Sequence, residues 1–197
     1  MNLSNKTVCV VGASGLLGSN VLKEALARGY KVNGTLRDVN APGKATFLNA
    51  LPNAEANLRL FEAEMADKAS FDDAFSNVDC VFIACLIPVY KGPTGKPARE
   101  MDDEQGYAEI IMPTVNGCLN IMNAAAKQKV KNVVICSSTS STNPIPPVPI
   151  KNEIDHWSDE NEQCKALYTG AATQGGSDAR HRSPSASCTQ RTGSPAL

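Results

Sequence analysis

The stretch Thr7-Val-Cys-Val-Val-Gly-Ala-Ser-Gly-Leu-Leu-Gly18 decides the fold. Its first five residues are apolar or β-branched with no polar alternation, the pattern of a short strand buried on both faces of a parallel sheet. Glycines at 12, 15 and 18 follow at once. From 15 to 28, Leu16, Leu17, Val21, Leu22, Ala25 and Leu26 recur at helical spacing, and Gly29 stands where a helix C-cap belongs. Residues 31–36 then predict a second strand. Two parallel neighbours need a helical crossover between them, so this is one strand–helix–strand unit.

Working outward, residues 37–43 (Arg-Asp-Val-Asn-Ala-Pro-Gly) are turn chemistry, and 44–50 predict a short helix that Pro52 ends. Residues 58–64 predict a third strand. Ser70 is placed to cap a helix through Phe75, with Asp72 and Asp73 in its first turn. Residues 78–86 predict a fourth strand, 88–103 a long loop rich in Pro, Gly and charge, 104–128 a long helix, and 132–136 a fifth strand that runs into Ser137 to Ser141. Five strands alternating with helices specify a doubly wound α/β parallel sheet with right-handed crossovers.

Composition agrees. The 197 residues suit one well-cored domain, and 42% hydrophobic with 20% charged is ordinary globular usage. Nineteen basic against twenty acidic residues give a net charge of -1, which provides no global field for nucleic acid or an anionic membrane. A small-molecule function is the remaining class. Seven cysteines lack any C-x-x-C pair and only two histidines are present, so no metal site is expected and the thiols read as reduced. With no apolar run of signal-peptide or membrane-spanning length, the cytosol is the expected compartment. Past Thr142 four prolines crowd one loop, Ser158 is placed to cap a short helix, and from Tyr168 onward Ile, Val, Met, Phe and Trp are absent. We therefore expect a domain over 1–166 and a disordered tail over 167–197.

The turn Gly12-Ala-Ser-Gly-Leu-Leu-Gly18 has the G-x-x-G-x-x-G spacing and the strand-to-helix setting of a dinucleotide cradle. Glycine lets backbone approach a pyrophosphate, and the helix start offers N–H groups and a positive dipole end. Gly12, Ser14, Gly15, Leu16, Leu17 and Gly18 are the candidate phosphate residues. At the end of the second strand stands Arg37, whose guanidinium can grip a 2′-phosphate with Lys44 assisting; NADP(H) is the favoured cofactor. Asp38 beside it keeps NAD(H) open through the ribose hydroxyls.

Taken in order, Val8 to Gly18, Thr35-Leu-Arg-Asp38, Glu62 to Asp67, Asp79-Cys-Val-Phe82, Pro113-Thr-Val-Asn-Gly117, Val133 to Ser138 and Trp157-Ser-Asp159 resemble an extended short-chain dehydrogenase/reductase. The likeness is to the dihydroflavonol reductase and cinnamoyl-CoA reductase group, within the NAD-dependent epimerase/dehydratase superfamily. The resemblance implies a Rossmann-type domain, Glu64 and Met65 at the adenine, and Ala84 and Cys85 beside the nicotinamide-side ribose. It also implies Ser138 as the residue orienting a substrate carbonyl and Tyr168 as the proton donor. The family's Tyr-x-x-x-Lys pair is broken, because Ala172 stands four residues after Tyr168. The substrate lobe also looks missing from so short a chain. The expected function is an NADP(H)-dependent carbonyl-reductase domain, weak or inactive alone, acting on a small aromatic carbonyl. The alternatives are a non-catalytic nucleotide sensor or interaction protein, pairing with a full-length relative, and a nonfunctional fragment.

Overall fold

The computed structural model describes residues 5–85, 92–97, 100–137, 148–152 and 154–156. The chain divides into two units, 1–136 and 137–197, and the sheet lies wholly in the first. The expected Ser158-capped helix, the tail over 167–197, and the candidates Ser138 and Tyr168 lie outside the described residues.

Strand β1 (Thr7–Val11) leads through the glycine turn into helix α1 (Leu16–Ala27) and returns as β2 (Lys31–Leu36). Two short helices, α2 (Lys44–Asn49) and α3 (Ala54–Asn57), precede β3 (Leu58–Glu62). Helix α4 (Asp72–Phe75) leads to β4 (Cys80–Ile83), and β5 (Asn132–Ile135) closes the described sheet. Between β4 and β5 run α5 (Asp103–Gly106), a π-helical turn (Tyr107–Ile111) and α6 (Met112–Lys127). All neighbours are parallel, in the order β3-β2-β1-β4-β5.

That order fixes the layers. The connection from β1 to β2 steps one way along the sheet and that from β4 to β5 steps the other, so right-handed crossovers put α1 and α6 on opposite faces. Side-chain alternation follows suit. Val8, Val10 and Val32 pack with Leu22 and Leu26 of α1, whereas Cys9, Val11, Val81 and Ile83 pack with Ile121, Ala124 and Ala125 of α6. Each fully buried Val, Leu or Ile contributes about 1.5–3 kcal/mol, so these two layers carry most of the fold. The strand order reverses between the parallel neighbours β1 and β4, and the cleft at their C-terminal ends is where open α/β sheets bind ligands.

Three local expectations need correction. Ser70 does not cap α4, whose N-cap is Phe71; its hydroxyl instead donates to the Glu64 carbonyl (2.8 Å) and accepts from the Glu64 N–H (3.1 Å). The helix expected over 104–128 is composite, because Pro113 has no N–H to return to the carbonyl four residues back and the backbone widens to a π turn just before it. Helix α3 was not expected, since four residues are too few to show a period.

Candidate functional site

The glycine turn is built by close approach. Gly12 has φ +79°, and a Cβ there would meet the Cys85 Cβ at 2.6 Å. A Cβ on Gly18 would lie 2.1 Å from the Gly12 carbonyl oxygen, so the helix rests directly on the turn. Thr35 at the end of β2 fixes the other side: its Oγ1 accepts from the Gly12 N–H (3.3 Å) and its carbonyl from the Ala13 N–H (3.0 Å). Helix α1 starts after Gly15 with no side-chain cap, so its first-turn N–H groups are left for an outside acceptor.

A cavity of about 370 Å³ opens at this point, lined by the turn, the ends of β2 and β4 and the segment after β3. Of the residues singled out from sequence, it brings together Gly12, Ser14, Gly15, Arg37, Glu64, Met65, Ala84 and Cys85. Four others stand apart from its wall. Leu16 and Leu17 point to solvent, Gly18 serves the packing of α1 on the turn, and Lys44 begins α2. Thr35, Leu36, Ala63 and Phe71 line the cavity without having been anticipated. Thr35 was within reach of sequence reasoning, because it precedes Arg37 at the strand end. Phe71 was not, since only the tertiary fold carries its ring to the site.

The wall after β3 is held from two directions. Ser70 clamps the Glu64 backbone, and the buried Asn120 of α6 donates from Nδ2 to the Met65 carbonyl at 2.8 Å. The Cys85 Sγ lies 3.8 Å from the Met65 Sδ. Burial pushes the Cys85 thiol up to about 11, with Arg37 opposing and Glu64 adding to the shift. Cys85 is therefore a neutral wall at physiological pH rather than a nucleophile. Arg37 and Glu64 are the charged groups of the cavity wall, one cationic and one anionic.

A side-chain-free cradle, an uncapped helix start and an arginine at one cavity are what a phosphorylated dinucleotide requires, and the residues present fit such a group. A family model described as NAD(P)H-binding matches residues 12–173. The chain belongs to the NAD(P)H-binding family. Within that family, similarity is to extended short-chain dehydrogenase/reductases. A dihydroflavonol 4-reductase of Dianthus caryophyllus is 38% identical over 138 residues, covering 70% of this chain and 35% of that protein. Cinnamoyl-CoA reductase CAD2 of Medicago truncatula is 37% identical over 141 residues, covering 71% and 40%. The chain spans less than half the length of these curated relatives.

Among solved structures, vestitone reductase from alfalfa (Medicago sativa) superposes with a TM-score of 0.58 at 28% identity, covering 82% of this chain and 45% of that one. Yeast Gre2, a methylglyoxal/isovaleraldehyde reductase solved with NADPH, shares the fold at a TM-score of 0.55 and 20% identity, covering 71% and 39%. The parallel five-stranded sheet is thus Rossmann-like, as the sequence implied. Among the described residues, no helix is long and apolar enough to cross a membrane.

Proposed function

We propose that the chain is the NADP(H)-binding part of a carbonyl reductase related to dihydroflavonol and cinnamoyl-CoA reductases, acting in the cytosol on a small aromatic carbonyl. The observation that carries the reading is Arg37 at the end of β2, on the wall of the cavity that the glycine turn opens. In this reading Gly12 and Gly15, whose own N–H groups are engaged within the turn, let the diphosphate approach the backbone, and the N–H of Ser14 and those at the start of α1, at Leu16, Leu17 and Gly18, hold it. Arg37 grips the 2′-phosphate through paired N–H bonds, and Lys44 adds a longer-range charge. Glu64 accepts from the adenine amine while Met65 packs on the ring; Ala84 and Cys85 present backbone to the nicotinamide-side ribose.

Bound NADPH supplies hydride to a carbonyl carbon. Ser138 orients the carbonyl oxygen, and Tyr168 gives it a proton. A free tyrosine has a pKa of about 10 and needs a neighbouring cation to reach useful acidity near neutrality. Ala172 offers none, which makes the proposed turnover of these 197 residues weak. The same substitution favours a second reading, a nucleotide-binding protein without turnover of its own.

Calorimetry on the purified chain tests the first claim: NADPH should bind at least about tenfold tighter than NADH, and Arg37→Glu should erase that preference. Failure to bind either coenzyme at millimolar concentration would sink both readings. Reduced-nicotinamide absorbance with dihydroflavonols, cinnamoyl-CoA esters and aromatic aldehydes separates the two. Turnover lost in Ser138→Ala supports the reductase, whereas NADPH binding with no turnover supports the sensor.

A further inference from the structure

Between β3 and α4 the chain turns through Glu64-Met-Ala-Asp-Lys-Ala-Ser70. Of these seven residues Met65 alone is buried and Ser70 is half-buried, so apolar burial fixes one point of the turn and not its shape. Hydrogen bonds set the shape. The Ser70 hydroxyl shares its one proton between the carbonyls of Glu64 (2.8 Å) and Asp67 (3.1 Å), and its oxygen accepts the Glu64 N–H at 3.1 Å. Asp67 fills the inside of the ring, its N–H donating to the Glu64 carbonyl (3.0 Å) and its carboxylate accepting from the Ala69 N–H (2.9 Å).

The residue after this ring is its anchor. Phe71 is 1% exposed and packs on Phe75 with ring centroids 5.5 Å apart. The backbone at position 70 is therefore fixed in the core, and the Ser70 hydroxyl passes that fixation back to Glu64. The Glu64 side chain has no other tether: among the described residues its carboxylate makes no hydrogen bond or ion pair, although it stands on the cavity wall beside Phe71 and Met65. Where that carboxylate begins is decided by the backbone that Ser70 holds.

We propose, resting on the placement of adenine at Glu64 made above, that Ser70 is the positioning residue that gives the site its preference for a 6-aminopurine. An ionised carboxylate only accepts hydrogen bonds, so it favours the exocyclic amine of adenine and opposes the carbonyl oxygen that a 6-oxopurine turns toward it. That discrimination depends on direction, because a hydrogen bond weakens steeply once its angle falls below about 120°. With its N–H and its carbonyl both held by one hydroxyl, Glu64 keeps the root of its side chain at one place on the wall before coenzyme arrives, and little ordering is left for the binding step. Without the hydroxyl the carboxylate would wander and meet either base equally poorly.

Calorimetry on the whole chain with NADPH and with its 6-deamino analogue, which carries hypoxanthine in place of adenine, tests this. Wild type should bind NADPH about tenfold tighter than the analogue. Ser70→Ala should weaken NADPH by about that factor and the analogue little, so that the preference collapses. Ser70→Thr, which keeps the hydroxyl, should retain the preference, and Ser70→Cys, which keeps the volume but bonds weakly, should lose it. If Ser70→Ala and Ser70→Cys instead weaken both ligands alike and leave their ratio standing, Ser70 supports the fold only and the proposal is overturned. Glu64→Ala separates the two possible failures. A preference lost in Glu64→Ala but kept in the Ser70 variants overturns the role of Ser70 and leaves adenine at Glu64, whereas a preference that survives Glu64→Ala, or is absent from wild type, overturns both.

Discussion

The two strand–helix–strand units of the sheet obey one rule of connection and are held in opposite ways. In the first, β1–α1–β2, closeness comes from missing side chains: α1 rests on the turn through Gly18, and Gly12 lies against Cys85. Its strands are buried along nearly their whole length. In the second, β4–α6–β5, position comes from side chains that reach across the fold, with Asn120 holding the carbonyl of Met65, 55 residues away in sequence. β5 is largely exposed, as is the outer stripe of α6. A unit built on glycine announces itself locally, whereas a unit built on distant polar contacts does not.

The largest way to break that contrast is Gly18→Ala. The added Cβ would stand 2.1 Å from the carbonyl oxygen of Gly12 and 2.8 Å from its carbon, and neither backbone atom can swing aside as a side chain would. Helix α1 must lift from the turn, at a cost on the order of 3 kcal/mol or more. The control is Gly29→Ala, where nothing lies within 4 Å but φ is +84°. That substitution pays only the left-handed backbone term of about 1–2 kcal/mol. Urea unfolding midpoints of the two variants should differ accordingly, and equal losses would show that crowding at the turn is not what holds the first unit.

Next in size is Asn120→Ala in the second unit. It leaves the Met65 carbonyl without its buried donor and should cost about 1–3 kcal/mol. Because Met65 lines the cavity, coenzyme affinity should fall with it, although Asn120 is absent from the cavity wall. Unchanged affinity in a destabilised variant would show that Asn120 supports the fold alone and not the wall of the site.

These substitutions also mark how far the sequence could be read. β1, α1, β2 and the turn were legible because their determinants lie within thirty residues: an apolar run, three glycines, an amphipathic period and a stop. The doubly wound parallel sheet followed from that grammar repeated. Of the candidate site, the turn residues and Arg37 could be named because they sit at strand ends, where the crossover rule puts them. Leu16 and Leu17 belong to the same motif but turn their side chains to solvent, which spacing does not reveal. Ser70 read locally as a cap, and a tertiary bond to Glu64 prevailed. Phe71 and Asn120 were beyond reach for the same reason: only the tertiary fold brings Phe71 to the cavity wall and Asn120 to the Met65 carbonyl behind it. Pro113 did carry a legible signal for the π turn, since a residue without an N–H interrupts any long helix.

The smallest effect lies on the seam between the units and sharpens the comparison by joining them. The Asp79 carboxylate, just before β4, accepts from Lys6 Nζ (2.8 Å) and from the Thr7 N–H (3.1 Å) at the start of β1. Both bonds, that of Lys6 foremost, hold Asp79 below its ordinary carboxylate range. A depressed folded-state value means that the stabilisation is fully present above the unfolded value of about 3.9 and is lost as pH falls through the folded one. The pair is partly exposed, so Asp79→Asn should cost only about 0.2–1 kcal/mol near neutrality. That gap between wild type and variant should stay level from pH 7 to about 5 and close below about 4. In a Lys6→Met background the gap should shrink at every pH. If instead it persists undiminished, the Thr7 amide rather than the ammonium couples the glycine-built unit to the one positioned by polar side chains.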